Sequence, residues 1–424
     1  MKDSMRKVLS LFSGCGGMDL GFEGQFEVFE EAVNESIHPD WIESRPRKGW
    51  VKLKSLPYDL TFANDIKISA LKVWSEFFKR RGYSQSIFHT ESIVDLVKNH
   101  KDKKEKIFPS NIDVVIGGFP CQDFSVAGKR RGFQSHKSHN NNELNLESPN
   151  TENRGQLYIW MKEVIEITKP KVFIAENVKG LVNLSNVKDI IQKDFSQAGS
   201  NGYYVFDPRV LYAPDYGIPQ TRERVFFIGV RKDLLKDEVL QRLESGKINH
   251  EINPYPFKTH LNPENFSMFE KDILKPYVPA HVAFRDLNEP DSEQTDESQM
   301  AYSRAKFMGH HCQGQKEIDL KKPSFTIRAE HHGNIEFRRL SEGNGGRNKN
   351  ELALGHRERR LSVRECARLQ TFPDDFNFVQ RNKDSKGYFV NASDAYKVIG
   401  NAVPPLLAYH IADRLNTIWN NLFK

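Results

Sequence analysis

"KVLSLFSGCGGMDLGFEG", residues 7 to 24, passes from an apolar run through Gly14, Gly16 and Gly17 into a second apolar-rich stretch. The order reads as strand, tight turn and helix. Glycines at such a turn let a ligand come against the backbone at a helix N-terminus. Spacing alone leaves two uses open, a tight connection or a cofactor site. The dinucleotide pattern G-x-G-x-x-G is not met, and no Walker lysine follows.

The alternation recurs through the first half of the chain. "LTFAND" (60–65) precedes the helical "ISALKVWSEFFKRRG" (68–82), "DVVIGGFP" (113–120) stands alone, "LYIWMKEVIEITKP" (157–170) precedes "KVFIAEN" (171–177), and "ERVFFIGVR" closes at Arg231. Apolar runs of strand length separated by helix-length segments predict an α/β fold, a doubly wound and mostly parallel sheet with helices on both faces. Ligands bind such sheets beyond the carboxyl ends of the strands. Two stretches interrupt the pattern. Residues 34–58 read as an insertion with no assignable role, and the polar "QSHKSHNNNELNLESPNTEN" (134–153) predicts a mobile loop. After Arg231 the periodicity fades, which places a domain boundary there. Helical spacing returns near the end, at Leu406, Tyr409, Ile411 and Leu415, so 391–424 is expected to pack back on the sheet and complete a first domain formed by 1–231.

Composition narrows the function classes. Sixty-two Lys and Arg against 56 Asp and Glu give a formal charge of +6, which permits a polyanionic partner without demanding one. Cys15, Cys121, Cys312 and Cys366 form no CxxC pair, so neither a zinc site nor a disulfide framework is indicated, and a reducing cytosol fits. No apolar run approaches the roughly 18 residues a membrane span needs, and the start is interrupted too soon for a secretory signal. A soluble intracellular protein without a metal is expected.

Chemistry is expected at the strand ends. Asp65 can take the two hydroxyls of a ribose or cap the helix predicted near Ser69. Cys121 follows "DVVIGGFP" and precedes "QDFSVAGKRRG", a polar, small and basic loop whose Lys129, Arg130 and Arg131 favour a thiolate. Buried structural cysteines are commoner in general, yet a thiol facing this loop reads better as a nucleophile. Glu176 ends an apolar strand, where desolvation raises a carboxyl pKa, although capping a turn is an equal use of it. Gln220, Arg222 and Arg224 alternate on one face leading into "VFFIGVR", so two guanidinium forks on one side could hold a carbonyl oxygen or a phosphate, with surface pairing as the plainer alternative.

Taken in order, "LFSGCGG", "FAND", "GGFPCQDFS", "RGQLY", "IAENVKG", "YGIPQTRER", "RRLSVRECARLQTFP" and "YKVIGNAVPP" resemble the DNA cytosine-5 methyltransferase family in the arrangement of bacterial type II restriction-modification enzymes. The resemblance implies a Rossmann-like sheet that uses S-adenosyl-L-methionine, and a smaller irregular target-recognition domain over 232–390. It implies methyl transfer to C5 of a cytosine flipped out of a short duplex DNA site, protecting host DNA from a cognate endonuclease. Cys121 would add to C6, Glu176 would bond N3 and the exocyclic amine, and Arg222 and Arg224 would hold O2 and its neighbourhood. Phe12, Ser13, Gly14, Gly16, Gly17, Asp65, Ile93, Pro120, Leu157, Asn401 and Val403 would contact the cofactor, Asn401 by resemblance alone. Gln122, Ser125, Lys129, Arg130, Arg131 and Gln220 would face DNA, as would Thr326 and Arg328, side chains suited to base edges. Double-stranded DNA is the expected partner, the protein a cytoplasmic, nucleoid-associated monomer off the membrane.

The chain departs from the family pattern at "HTESIVDL" (89–96), where Ser92 aligns with the usual acidic contact to adenine and Glu91 or Asp95 would substitute. A tRNA cytosine methyltransferase would use the same catalytic parts, but the large variable region and the absent "CFT" tripeptide disfavour it. The intact Cys121, Glu176, Arg222 and Arg224 argue against a catalytically dead regulator.

Overall fold

The computed structural model describes residues 5–120, 157–184, 186–265, 273–329, 334–382 and 387–424. Eleven strands occupy its first half: β1 (Arg6–Leu11), β2 (Glu27–Phe29), β3 (Ile42–Arg47), β4 (Trp50–Leu53), β5 (Tyr58–Asn64), β6 (Phe88–His89), β7 (Val114–Gly118), β8 (Val172–Val178), β9 (Tyr203–Val205), β10 (Arg209–Tyr212) and β11 (Glu223–Arg231). Eight of them form one sheet in the order β10-β11-β8-β7-β1-β5-β6, with β9 also on β11. Every pairing from β6 across to β8 is parallel, and β11 runs antiparallel to β8, β9 and β10.

The central parallel strands β7 and β8 read as mostly apolar runs because both faces are covered. Along β8, Val172 and Ile174 enter one apolar cluster while Phe173 and Ala175 enter another. Successive side chains on a strand point to opposite faces, so one run feeds two cores. Helices α1 (Gly17–Glu23) and α2 (Ile68–Arg80) cover the first face, and α3 (Ile93–Asp102), α4 (Leu157–Thr168) and α5 (Val187–Ser196) the second.

Beyond Arg231, no described residue joins the central sheet. Five short helices, α6 (Asp237–Glu244), α7 (Ala280–Phe284), α8 (Glu297–Met300), α9 (Lys349–Ala353) and α10 (Val363–Leu369), stand among small two-stranded pairs such as Phe337–Arg339 against Arg359–Arg360. Ile327, Leu361 and Phe372 from this region belong to the same apolar cluster as Val8 and Phe226. Buried ion pairs supply much of its framework: Arg359 forks onto Glu365 with both bonds at 2.8 Å, and Arg368 onto Asp374 at 2.7 Å. The chain returns through α11 (Ala392–Asn401) and α12 (Pro405–Leu422). α12 lies against α1, where a side chain on Gly21 would meet Ala408 Cβ at 2.4 Å, and Tyr58 Oη on β5 donates to Ala412 O at 3.0 Å.

Residues 34–58, read as an insertion, contribute β3 and β4, which pair with β2 as a small antiparallel sheet. Among the described residues no helix is long and apolar enough to cross a membrane. Cys121, Gln122, Ser125, Lys129, Arg130, Arg131 and the polar stretch 134–153 lie outside the described residues.

Candidate active site

One cleft of about 1340 Å³, open to solvent, lies beyond the carboxyl ends of β1, β5, β7 and β8. Its walls include ten residues anticipated for the cofactor: Phe12, Ser13, Gly14, Gly17, Asp65, Ile93, Pro120, Leu157, Asn401 and Val403. Gly16 does not line it. A Cβ there would meet the Phe78 ring at 2.5 Å and Trp74 at 2.8 Å, so this glycine admits α2 beneath the turn rather than a ligand above it.

The turn bends sharply at its start. Phe12 has φ 53° and Gly14 φ 55°, and the left-handed region is uncommon for a residue with a side chain. Ser13 N donates to Asn64 O at 2.8 Å, and Gly14 N donates to Asp65 Oδ2 at 3.0 Å, so the ends of β1 and β5 are tied together. A Cβ on Gly14 would find no atom within 4 Å, which leaves that face of the turn open to the cleft.

Asp65 is not the helix cap: α2 begins at Ile68 with Lys67 as its capping residue. Its Oδ1 accepts from Lys67 N at 2.9 Å in an Asx turn, and burial raises its pKa. A carboxylate has about four acceptor sites, so two remain for a diol. Next to it Asn64 Nδ2 donates to His89 O and Glu91 O at 3.0 and 2.9 Å, holding the chain that leads to Ser92 and Ile93. Ser92 lines the cleft and caps α3, its Oγ accepting from Val94 N, whereas Glu91 and Asp95 are exposed and line none of it. Among the described residues, neither Glu91 nor Asp95 lines this wall, where Ser92 does.

Asp19, which the sequence reading passed over, is buried behind the turn. It accepts from Ser10 Oγ at 2.5 Å and Trp74 Nε1 at 2.9 Å, and burial pushes its pKa up to about 6.

The far wall carries Glu176 and Arg224. Glu176 is 6% exposed, and Arg224 Nε meets its Oε1 at 2.7 Å. Burial raises the Glu176 pKa against the opposing pull of Arg224 and Arg222. Gly118, beside Glu176 in the parallel β7–β8 register, explains the "GG" before Phe119. A Cβ there would come within 2.6 Å of Glu176 Oε2. Asn177, also unforeseen, is buried and donates from Nδ2 to Phe119 O at 3.1 Å, which fixes the chain just ahead of Pro120. Cys121 is bonded to Pro120, itself part of the cleft wall.

Arg222 does not share the cleft with Arg224. It is fully buried and donates to Ile327 O at 3.1 Å and Gly400 O at 3.0 Å. The expected pair of forks on one side is corrected to one fork in the cleft and one in the interior. Gln220 is likewise corrected from a DNA-facing residue: it is fully buried, accepts from Ile327 N at 2.8 Å and donates to Leu369 O at 3.2 Å. Thr326 Oγ1 donates to Thr221 O at 2.7 Å and Arg328 pairs with Glu336 at 2.8 Å, both half-buried.

Similar proteins match this chain over almost its full length. The type II methyltransferase M.BspRI of Lysinibacillus sphaericus is 32% identical, covering 97% of this chain and 81% of the relative. M.BsuRI of Bacillus subtilis is 30% identical over 96% of this chain and 78% of its own. The solved structure of the Entamoeba histolytica methyltransferase EhMeth superposes with TM-score 0.52 at 13% identity over 99% of both chains, a likeness of fold. The family model for C-5 cytosine-specific DNA methylase matches residues 6–417. With its cleft at the strand ends, its Glu176–Arg224 wall and that match over nearly all its length, the chain belongs to the C-5 cytosine-specific DNA methylase family.

Proposed function

We propose that the protein transfers a methyl group from S-adenosyl-L-methionine to C5 of a cytosine within a short specific duplex DNA sequence, as the methyltransferase of a type II restriction-modification system. The observation that carries this reading is one cleft walled on one side by the Gly14 turn and Asp65 and on the other by Glu176 and Arg224, with Pro120, which Cys121 follows in sequence, in its wall.

The cofactor-side residues fit the group. Gly14 leaves room above the turn, Asp65 keeps acceptor capacity for a ribose diol, and Leu157, Ile93 and Val403 offer apolar surface. When bound, S-adenosyl-L-methionine supplies an electrophilic methyl group on a positively charged sulfur, which leaves as a neutral thioether.

C5 of cytosine is a weak nucleophile and lies stacked inside a duplex. The base must therefore leave the helix, at a cost of a few kcal/mol, before a side chain reaches it. The Cys121 thiolate then forms a bond to C6, and the C5–C6 π pair moves onto C5. Glu176, whose pKa burial raises, would in its protonated form donate to N3 and accept from the exocyclic amine, with Arg224 beside it to hold O2. Once that pair at C5 has formed the bond to the methyl group, a water acting as base takes the C5 proton, which restores the C5–C6 double bond as the C6–S bond breaks and the thiolate leaves.

Incubation with tritiated S-adenosyl-L-methionine and either duplex DNA or tRNA tests the reading. Label in duplex DNA at cytosine C5 is expected. Label in tRNA alone, or in neither, contradicts it.

A further inference from the structure

Arg222 and Gln220 were grouped with Arg224 by spacing, yet both lie in the interior at a place where four segments meet. Ser324 N donates to Pro219 O at 2.9 Å, Thr221 N to Ser324 O at 2.8 Å, and Ile327 N to Gln220 Oε1 at 2.8 Å. The segment 324–328, from the region expected to recognise the target, is thus laid along 219–222 like an added strand. Arg222 closes the arrangement by donating to Ile327 O on one side and Gly400 O on the other. Gly400 is compelled to be glycine here, since a Cβ would sit 2.1 Å from the Arg328 carbonyl carbon. The next residue, Asn401, lines the cleft, and two residues beyond Arg222 stands Arg224, on Glu176.

We propose that Arg222 and Gln220 are positioning residues that clamp the recognition segment 324–328 to the base-holding wall, so that correct seating of a target duplex and alignment of the flipped cytosine are one mechanical event. The inference rests on the methyltransferase reading above and assigns these side chains no contact with the base. A planar fork is needed because two carbonyls from separate segments must be bonded at once, which the single ammonium of lysine holds with less geometric definition. A shift of the segment by about 1 Å, with no contact to the reacting atoms removed, can lower turnover by about 100-fold.

The test begins with bisulfite sequencing of DNA from cells expressing the full chain, which defines the methylated site. Purified Arg222→Lys and, separately, Gly400→Ala are then compared with the unaltered protein on duplexes carrying that site or a single altered base pair. The expected result is a fall in kcat/KM at the cognate site of about 100-fold, with the ratio of cognate to altered-site methylation narrowed. Binding of S-adenosyl-L-methionine and covalent trapping on a 5-fluorocytosine duplex are expected to persist. An unchanged ratio, with all rates falling together in a variant of unaltered melting temperature, overturns the proposal, as does loss of trapping with discrimination intact, the signature of direct base contact. Should Arg222→Lys fail to fold, Gly400→Ala decides by the same ratio. Absence of methylated cytosine with the unaltered chain removes the underlying reading and this inference with it.

Discussion

Glu176 and Arg224 meet across the antiparallel seam between β8 and β11, Nε 2.7 Å from Oε1, two register positions apart: Phe226 stands opposite Glu176 and Arg224 opposite Val178. A β-sheet offers few better ways to fix a fork against a carboxyl, because both backbones are hydrogen-bonded along their length. Glu176 is buried and Arg224 partly so, and the guanidinium faces an acid whose charge burial disfavours.

Turnover should respond to that balance. Glu176→Gln removes the transferable proton and is expected to lower kcat by about 100-fold or more. Arg224 pulls the Glu176 pKa down, so Arg224→Met should let it rise further. In pre-steady-state methyl transfer, the alkaline limb set by loss of the Glu176 proton would then move to higher pH, alongside a lower plateau. A limb that stays in place, or moves to lower pH, would show that the two groups are not coupled in this sense.

Asp65 ties the glycine turn to the start of α2 and, in the proposed reading, offers its free acceptor sites to the cofactor's ribose. Asp65→Ala frees Gly14 N and Lys67 N and removes the diol acceptor, so the dissociation constant for S-adenosyl-L-methionine should rise by about tenfold in calorimetric titration. Turnover at saturating cofactor should change little by comparison. Unaltered affinity would leave Asp65 a turn residue only.

The sequence displayed the sheet well and its margins poorly, for physical reasons. Strands such as Val172–Val178 are buried on both faces and must be apolar throughout, a signal that survives without neighbours. β6 has two residues and carries no such signal, yet it leads to Ser92 and Ile93. Asp65, Glu176 and Asn401 were marked by strand-end position or motif, and all three line the cleft. Gln220 and Arg222 were misjudged because period two holds only inside a strand. β11 begins at Glu223, and the bond from Arg222 N to Gln220 O at 2.8 Å makes the preceding residues a tight turn. Asp19 and Asn177 were missed because a polar residue whose partners are distant in sequence leaves no local pattern.

The hairpin that interrupts the alternation acts as a brace. Trp50, 2% exposed, lies between the guanidinium of Arg47 at 3.8 Å and that of Arg368 at 4.8 Å, and its Nε1 donates to Asp286 Oδ2 at 3.1 Å. Trp50→Ala should lower the stability of the folded chain by about 3 kcal/mol, read as a lower urea midpoint. A change within a few tenths of a kcal/mol would mean the hairpin carries no such load.

Acid should loosen the region beyond Arg231 first. Burial alone would raise the Glu289 pKa, but hydrogen bonds from Arg339 and Arg359 prevail and hold it down to about 2, from 4.5. A carboxylate depressed in the folded state stabilises fully above its unfolded pKa, and that contribution drains away as pH falls from 4.5 toward 2. In melts across that window, Glu289→Gln should start less stable at neutral pH and show a shallower acid loss than the unaltered chain. Equal slopes would remove Glu289 from the acid response.

The most direct test is chemical. A duplex bearing 5-fluorocytosine at the methylated position has no C5 proton to lose, so the bond between the Cys121 sulfur and C6 cannot be released after methyl transfer. The account predicts, with S-adenosyl-L-methionine present, a protein–DNA species that survives denaturation, with peptide mass spectrometry placing the methylated base on Cys121 and no such species from Cys121→Ser. A duplex that is methylated in its natural form but never becomes trapped when fluorinated, or trapping that persists in Cys121→Ser, would contradict it.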